Sequence, residues 1–177
     1  VRVTAVSSVG LGDRVCIDLV ELLQPGEGML LGSSSKALCL VHGETIASEF
    51  VPARPFRVNA GPVHSYVMMA DGTTRYLSEL VAGDMILVVS ADGLSRSVTV
   101  GRLKIESRPL LLISFVTVEG AEEGQIFLQQ AETVRLLQSS GAALSVTNLK
   151  EDDLLLGKLG TSGRHLGACI EGQVEER

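Results

Sequence analysis

The sequence predicts a mainly β protein, either a barrel or a set of packed β-hairpins, with few short helices. Its apolar runs are short and rich in β-branched residues, as in RVCID, MILVVS and SVTV. Gly, Asp and Ser bound these runs, which is the usual pattern of strands separated by turns. The long helices that would alternate with strands in a parallel sheet are missing from the pattern. We expect one β-rich domain over residues 1–177, with a subdivision near 120–125 as an option.

Several turns follow from local residue types. Asp71-Gly72 and Asp92-Gly93 are typical of hairpin turns, because Gly adopts positive φ at little steric cost. The segment GLGD at 10–13 is also interpreted as a hairpin turn. It does not fit a dinucleotide-binding loop, since Val15 stands where that fingerprint requires Gly. The segment FLQQAETVRLL fits both a helix and a strand, and this choice stays open.

Three segments share a Leu, a short turn with an acidic residue and an apolar strand. They occupy residues 19–33, 77–90 and 146–159, and their acidic positions are Glu27, Asp84 and Asp153. A stretch with Arg or His and then Glu follows each one. This predicts a threefold pseudo-repeat of hairpin units, although chance similarity of strand entries would give the same pattern.

Composition excludes some classes of function. The chain has 15 basic and 21 acidic residues and a net charge of −6, so we expect no nucleic-acid partner. Its longest stretch without a charged residue has 14 residues, which is too short for a membrane-spanning helix. The three cysteines have no metal-type spacing, and reduced, buried thiols are expected.

The segment RPFRVNAGPVHSY at 54–66 concentrates polar side chains in a strand-like context. Arg54 and Arg57 present planar forks that match carboxylate or phosphate oxygens. Arg57 and Asn59 lie two residues apart and would face the same side of a strand. His64 could transfer a proton near neutral pH. The alternative is that these arginines pair with carboxylates between hairpins.

Two further stretches carry candidate chemistry. His42 and Glu44 also lie two apart, and a His–carboxylate pair suits general acid–base work. Arg102, Lys104 and Glu106 would share one strand face, either as an anion site or as a solvent-facing charged stripe. With only three histidines and no HxH pattern, no transition-metal site is expected, and weak oxygen ligation of Mg²⁺ or Ca²⁺ stays open.

Taken together, these stretches resemble one known family. The segments GLGDRVCIDL, PGEGMLLGS, LVHGE, RPFRVNAGPVHSY, VGRLKIESRPL and GRHLG occur in the order found in archaeal-type, or type II, 3-dehydroquinate synthases. Homologues also occur in plants, algae and some bacteria. The resemblance covers about residues 1–171 and corresponds to the C-terminal half of a family protein, so we expect the N-terminal half to be absent from this chain.

The resemblance implies a reaction and a set of roles. Family enzymes use NAD for an oxidative deamination and cyclisation that converts an amino-dideoxy-heptulosonate to 3-dehydroquinate, on the route to aromatic amino acids. NAD would be bound mainly by the N-terminal half. On this reading the small, anionic, hydroxylated substrate is bound by Arg54, Arg57, Asn59, Arg102, Glu106 and His165. Proton transfer falls to His64, His42, Glu44 and Lys104.

Two readings without catalysis stay open. The chain could be a structural or assembly subunit that retains the family's β scaffold, or a small-anion-binding module. The expected partner is the N-terminal half or another protein chain. The expected compartment is the cytoplasm, or the plastid stroma in a plant or alga.

Overall fold

A computed structural model describes residues 1–120 and 122–160, and beyond them only the backbone of 164–165 and 168–169. Nearly all regular structure in these residues is strand. Two 3-10 turns, Leu77–Glu79 and Val146–Asn148, are the described helical elements. The strands are β1 Arg2–Leu19, β2 Glu27–Ser34, β3 Ala37–His42, β4 Arg57–Pro62, β5 Tyr66–Met68, β6 Thr74–Tyr76, β7 Met85–Ser90, β8 Ser95–Val116, β9 Glu123–Gln129, β10 Arg135–Leu137, β11 Ala143–Ser145, β12 Gly157–Leu159, β13 Arg164–His165 and β14 Ala168–Cys169.

Twelve strands form one antiparallel sheet. Its main path runs β11-β10-β3-β2-β7-β8-β1-β4, with β12 paired to β3, β5 and β6 beside β2, and β9 beside β8. Within the described residues β11 and β4 end this path, so the ladder is open and not a barrel. The prediction of a mainly β, packed-hairpin fold is confirmed. Among the helices of the described residues, none is long and apolar enough to cross a membrane. β8 and β9 pair across the subdivision considered near residues 120–125, which stays a prediction.

The two longest strands form a ribbon that dominates the sheet. β1 and β8 pair from Arg2–Val116 to Leu19–Val100. The predicted hairpin turn at 10–13 is wrong, because these residues continue β1. Gly10 has a φ of +88°, and the register shifts between Ser8 and Gly10. The positive φ of Gly10 therefore lies in a β-bulge of β1, and the pairing with β8 continues on both sides of it.

The other predicted turns have simpler outcomes. Gly72 and Gly93 have φ values of +80° and +86° and close the β5–β6 and β7–β8 hairpins, as predicted. The ambiguous segment at 127–137 is the end of β9, a turn and β10, so its strand interpretation is confirmed.

The apolar residues lie on both faces of the central strands. Met29, Leu31 and Cys39 belong to the main core, whereas Leu30 and Leu40 belong to a smaller cluster on the opposite face. This explains why β2 and β3 are continuous hydrophobic runs and not alternating ones. Burial raises the pKa of Cys39 to about 12, so this thiol is protonated.

The three predicted repeat segments share one turn geometry. In each, a buried Leu precedes a turn whose acidic residue accepts a hydrogen bond from the backbone N–H three positions earlier. The Leu residues are Leu23, Leu80 and Leu149. The acceptors are Glu27, Asp84 and Asp153, at 2.7, 2.8 and 2.7 Å. The residue before each acid has a positive φ, of +84°, +97° and +70°.

The second and third segments correspond over a longer stretch. Residues 65–86 and 134–155 each contain a hairpin, a 3-10 turn and the acidic turn in the same order. Their hydrogen bonds also correspond: Gly72 and Gly141 donate to the carbonyls of Met69 and Gln138, at 3.0 and 2.8 Å. This agreement supports the pseudo-repeat over chance similarity. The stretch after the third segment extends beyond the described residues.

Candidate functional site

The register of β4, β1 and β8 brings polar side chains of three distant segments together. Asp18 lies opposite Arg57 and Arg102, and Cys16 lies opposite Asn59 and Lys104. Because side chains alternate along a strand, these residues share one face with the next pair along β1 and β8, Arg14 and Glu106. We call this surface the polar face, and its residues are Arg14, Cys16, Asp18, Arg57, Asn59, Arg102, Lys104 and Glu106.

The first row of the polar face is built on a buried carboxylate. Arg57 donates from Nε and Nη2 to the two oxygens of Asp18, at 2.7 and 2.9 Å. Arg102 donates from Nε and Nη2 to Oδ2, at 2.8 and 2.6 Å. Burial alone would raise the pKa of Asp18, but the hydrogen bonds from Arg57 and Arg102 outweigh it and lower this pKa. Asp18 is therefore ionised at neutral pH.

The second row contains a thiol and an amide. Cys16 is 1% exposed and accepts a hydrogen bond from Arg14 Nη1. Burial raises the pKa of Cys16 against the opposing effect of Arg14 and Arg57, so the group is a thiol at neutral pH. Asn59 donates from Nδ2 to Gln129 Oε1 at 2.8 Å, while its buried Oδ1 has no hydrogen-bond partner among the described residues.

The third row is a carboxylate surrounded by cations. Glu106 Oε2 accepts from Arg14 Nη2 at 2.7 Å. Lys104 Nζ and Arg108 Nη2 each lie 3.3 Å from Glu106 Oε1. The hydrogen bond from Lys104 is the main cause that lowers the pKa of Glu106. Arg14 is 5% exposed, and its Nε has no hydrogen-bond partner within the described part of the chain.

The polar face is positively charged on an acidic chain. It holds four cations and two carboxylates, a balance of +2, whereas the whole chain carries −6. Its reverse side packs into the core, where Val15, Ile17 and Val58 are fully buried. The core therefore holds the strands that position the charges.

Glu44 and Arg54 form a neighbouring ion pair. Their backbones meet in an isolated bridge, and Arg54 Nη1 lies 3.3 Å from Glu44 Oε2. The Glu44 N–H also donates to the carbonyl of Arg57 at 2.8 Å, which ties the pair to the polar face.

The predicted histidines lie apart from one another. His42 is buried, and its Nε2 accepts from the Gly26 N–H at 3.0 Å. Burial, helped by the charge of Arg135, lowers the pKa of His42 to about 4. His42 and Glu44 therefore have different hydrogen-bond partners. His64 is exposed and stands edge-on to Phe127 with ring centroids 5.3 Å apart, and partial desolvation of its ring lowers its pKa.

Spacing predicted part of this arrangement. The sharing of one face by Arg57 and Asn59, and by Arg102, Lys104 and Glu106, is confirmed. Sequence reasoning missed Arg14, Cys16 and Asp18, although polar residues at every second position of a strand were a usable signal. The alternative of structural arginines is also supported, since Arg54, Arg57 and Arg102 each pair with a carboxylate. The side chain of His165 lies outside the described residues.

Comparison with known proteins identifies the family. The profile of the 3-dehydroquinate synthase II C-terminal domain matches residues 1–177. A 3-dehydroquinate synthase of Methanococcus aeolicus is 51% identical over 175 residues, which are 99% of this chain and 48% of the relative. The corresponding proteins of Methanoregula boonei and Methanocaldococcus jannaschii are 46% and 49% identical, over 53% and 48% of their own length and 99% of this chain.

The chain thus spans about half the length of the curated relatives it matches. The resemblance noted in the sequence is confirmed, and the chain belongs to the 3-dehydroquinate synthase II family, in which it corresponds to the C-terminal domain.

Proposed function

We propose that the polar face binds the carboxylate and hydroxyl groups of a small anionic substrate, within a complete protein that acts as a 3-dehydroquinate synthase. One observation carries this proposal: four cations against two carboxylates on a single rigid face of an acidic chain. Beneath the exposed cations, Asn59 Oδ1 and Arg14 Nε are buried and have no hydrogen-bond partner among the described residues.

The cations of the face differ in how free they are to meet a ligand. The side chains of Arg102 and Lys104 are 65% and 50% exposed, whereas that of Arg57 is 13% exposed and is held by both oxygens of Asp18. We therefore assign the substrate carboxylate to Arg102 and Lys104, and give Arg57 the role of orienting Asp18. Arg14 and Asn59 are 5% and 4% exposed, so we assign them the support of this face and no direct contact with the substrate.

The reaction that we propose for the complete protein is the NAD-dependent oxidative deamination and cyclisation of an amino-dideoxy-heptulosonate to 3-dehydroquinate. The segment of this chain nearest to a dinucleotide-binding loop, residues 10–13, does not fit one. Residues 10–13 lie inside β1, and a Cβ on Gly12 would approach Leu110 Cδ1 to 2.6 Å, so this glycine serves strand packing. We therefore place NAD in the N-terminal half of the family's proteins and assign no step of its chemistry here.

Proton transfer by this chain is best assigned to His64. It is exposed, so that a substrate could reach it, and its ring contacts Phe127 of β9, the strand whose Gln129 accepts a hydrogen bond from Asn59 of the polar face. His42 suits this role less, because it is buried and its lowered pKa of about 4 keeps it neutral.

A second candidate function is a non-catalytic scaffold or assembly subunit. The observation that favours it is that Arg54, Arg57 and Arg102 already pair with carboxylates of the same chain. A fold that uses its arginines internally would keep them without any ligand. A small-anion-binding module would retain binding without turnover.

Calorimetric titration of the chain with 3-dehydroquinate tests the proposal. We expect saturable binding that weakens about tenfold in Arg102→Gln and in Lys104→Gln, since each removes one charge-assisted hydrogen bond. Lys150→Gln is the matched control, because it removes a cation from the third acidic turn, which bonds to β1 at Val3, whereas the polar face begins at Arg14. Equal affinity in all variants would overturn the assignment and favour the scaffold. So would absence of binding both by the folded chain alone and by its mixture with the N-terminal half of the Methanococcus aeolicus relative.

A further inference from the structure

One edge of β1 is open between two occupied stretches. Val3 exchanges hydrogen bonds with Asp152 and Asp153, both at 2.9 Å, and β4 pairs with β1 from Arg14 to Asp18. Between them, residues 4–12 pair only with β8 among the described residues. The open edge is therefore nine residues long, which is ample for one more strand.

The ladder fixes which backbone groups face this open edge. The carbonyl of Pro109 accepts from the Gln130 N–H at 2.9 Å and therefore points away from β1. Pro109 and Leu11 are paired, so the backbone N–H and C=O of Leu11 likewise point away from β8. Applied across the two bulges, the antiparallel alternation also turns the N–H and C=O of Val6 and Ser8 outward. No backbone partner of Val6, Ser8 or Leu11 at this edge occurs in the described part of the chain.

Neither a charge nor a proline protects this edge from pairing. Residues 4–12, TAVSSVGLG, contain no charged residue and no proline, two of the features that natural proteins use to block exposed edges. Apolar side chains also stand out on it: Val9 is 43% and Leu11 76% exposed. An uncharged and partly apolar edge of this kind is suited to strand addition.

We propose that a strand from the N-terminal half of the family's proteins pairs with residues 4–12 of β1. The chain covers 48% of its Methanococcus aeolicus relative, so the relative carries about as many further residues in the same polypeptide. A tethered strand competes at a high effective concentration, which favours it over a second copy of the chain.

The added strand would lie in line with β4 and next to the end of the polar face. Gly10 and Gly12 share the side of Arg14 and carry no side chains, so residues of the added strand would lie beside Arg14 and Glu106. This docking does not rest on the proposed function and would hold equally for a scaffold subunit.

Amide hydrogen exchange tests the proposal residue by residue. The probe is the N-terminal half of the Methanococcus aeolicus relative, the part that this chain does not match. On its addition we expect exchange at Val6, Ser8 and Leu11 to slow at least tenfold. Ala5, Ser7 and Gly12, which face β8, should exchange slowly with and without it. If that half does not fold alone, exchange is measured in the full-length relative, at the amides that align with Val6, Ser8 and Leu11.

Two variants distinguish strand pairing from mere contact. Ser8→Pro removes one outward donor and should weaken the complex at least tenfold, whereas Ser8→Ala keeps the donor and should bind as the original chain does. Outward amides that remain fast in the complex or in the full-length relative would overturn the proposal. So would protection that grows with the concentration of this chain alone, because a second copy would then occupy the edge.

Discussion

Asp18 shows how one residue organises the polar face. It is 4% exposed and joins Arg57 of β4 to Arg102 of β8. A buried carboxylate is tolerated only when it is paired and hydrogen-bonded, and here two guanidinium groups supply the bonds. The arginines are unequal, because the side chain of Arg57 is 13% exposed and that of Arg102 is 65% exposed.

Their unequal burial predicts unequal costs of removal. Arg57→Ala should lower the free energy of unfolding by about 3 kcal/mol, because it leaves Asp18 buried and underpaired. Arg102→Ala should lower it by less than about 1 kcal/mol, since an exposed partner contributes little. Urea unfolding at pH 7 measures both, with Arg108→Ala as the control for loss of an exposed arginine. Equal losses in Arg57→Ala and Arg102→Ala would show that burial does not decide the energetics.

His42 should make stability depend on pH in a defined window. Its pKa falls from 6.5 to about 4 in the folded state, so between these values the unfolded chain binds a proton that the folded chain does not. Stability from this group is therefore complete above about pH 6.5 and lost as the pH falls towards 4. The shift corresponds to about 3 kcal/mol.

Unfolding by urea between pH 7 and pH 4.5 measures this contribution. His42→Gln should flatten the pH dependence, whereas His64→Gln, at an exposed position, should leave most of it. An unchanged slope in His42→Gln would assign the dependence to other groups.

Residue spacing predicted faces but not partners. The two-residue interval of Arg57 and Asn59 was sufficient to place both side chains on one side of β4. Their partners required the sheet register, because Asp18 lies 39 residues from Arg57 and 84 from Arg102. Likewise, nothing local to His42 indicated that its Nε2 would accept from Gly26.

At the scale of elements, turns closed by local hydrogen bonds were the most predictable features. Asp-Gly turns and the acidic turns of the repeat depend on residues close in sequence, and both were found. The segment at 10–13 differs because its conformation is set by pairing with β8, almost a hundred residues away. A sequence typical of a turn therefore forms a bulged strand. Long-range pairing therefore overrode a local preference.

The acidic turns of the repeat make a prediction at this scale. Asp84→Ala and Asp153→Ala should each lower stability by about 1 kcal/mol, because each removes the acceptor for a backbone N–H, of Val81 or Lys150. Asn at either position keeps an acceptor oxygen and should cost less. Thermal unfolding measures these losses, with the exposed Glu151 of the third turn as the alanine control. If Glu151→Ala lowers stability as much, the hydrogen bonds of the turns do not explain the losses in Asp84→Ala and Asp153→Ala.

For the whole molecule, the fold acts as a rigid support that carries charge on one side and an open edge beside it. The core fixes β4, β1 and β8, and these strands hold the polar face next to the position proposed for the N-terminal half. A site shared between two halves would explain why this chain presents cations while residues 10–13, its candidate dinucleotide loop, lie inside β1. Catalysis should then require both halves.

Steady-state kinetics of the chain combined with the N-terminal half of its Methanococcus aeolicus relative test this expectation. We expect no turnover by the chain alone, and turnover in the mixture. In the mixture, Arg102→Gln and Lys104→Gln should each raise KM about tenfold, because a substrate carboxylate loses one charge-assisted hydrogen bond. Lys150→Gln should leave KM unchanged. Turnover with an unaltered KM in both variants would remove the polar face from the substrate site, and turnover by the chain alone would show that this domain is catalytically complete.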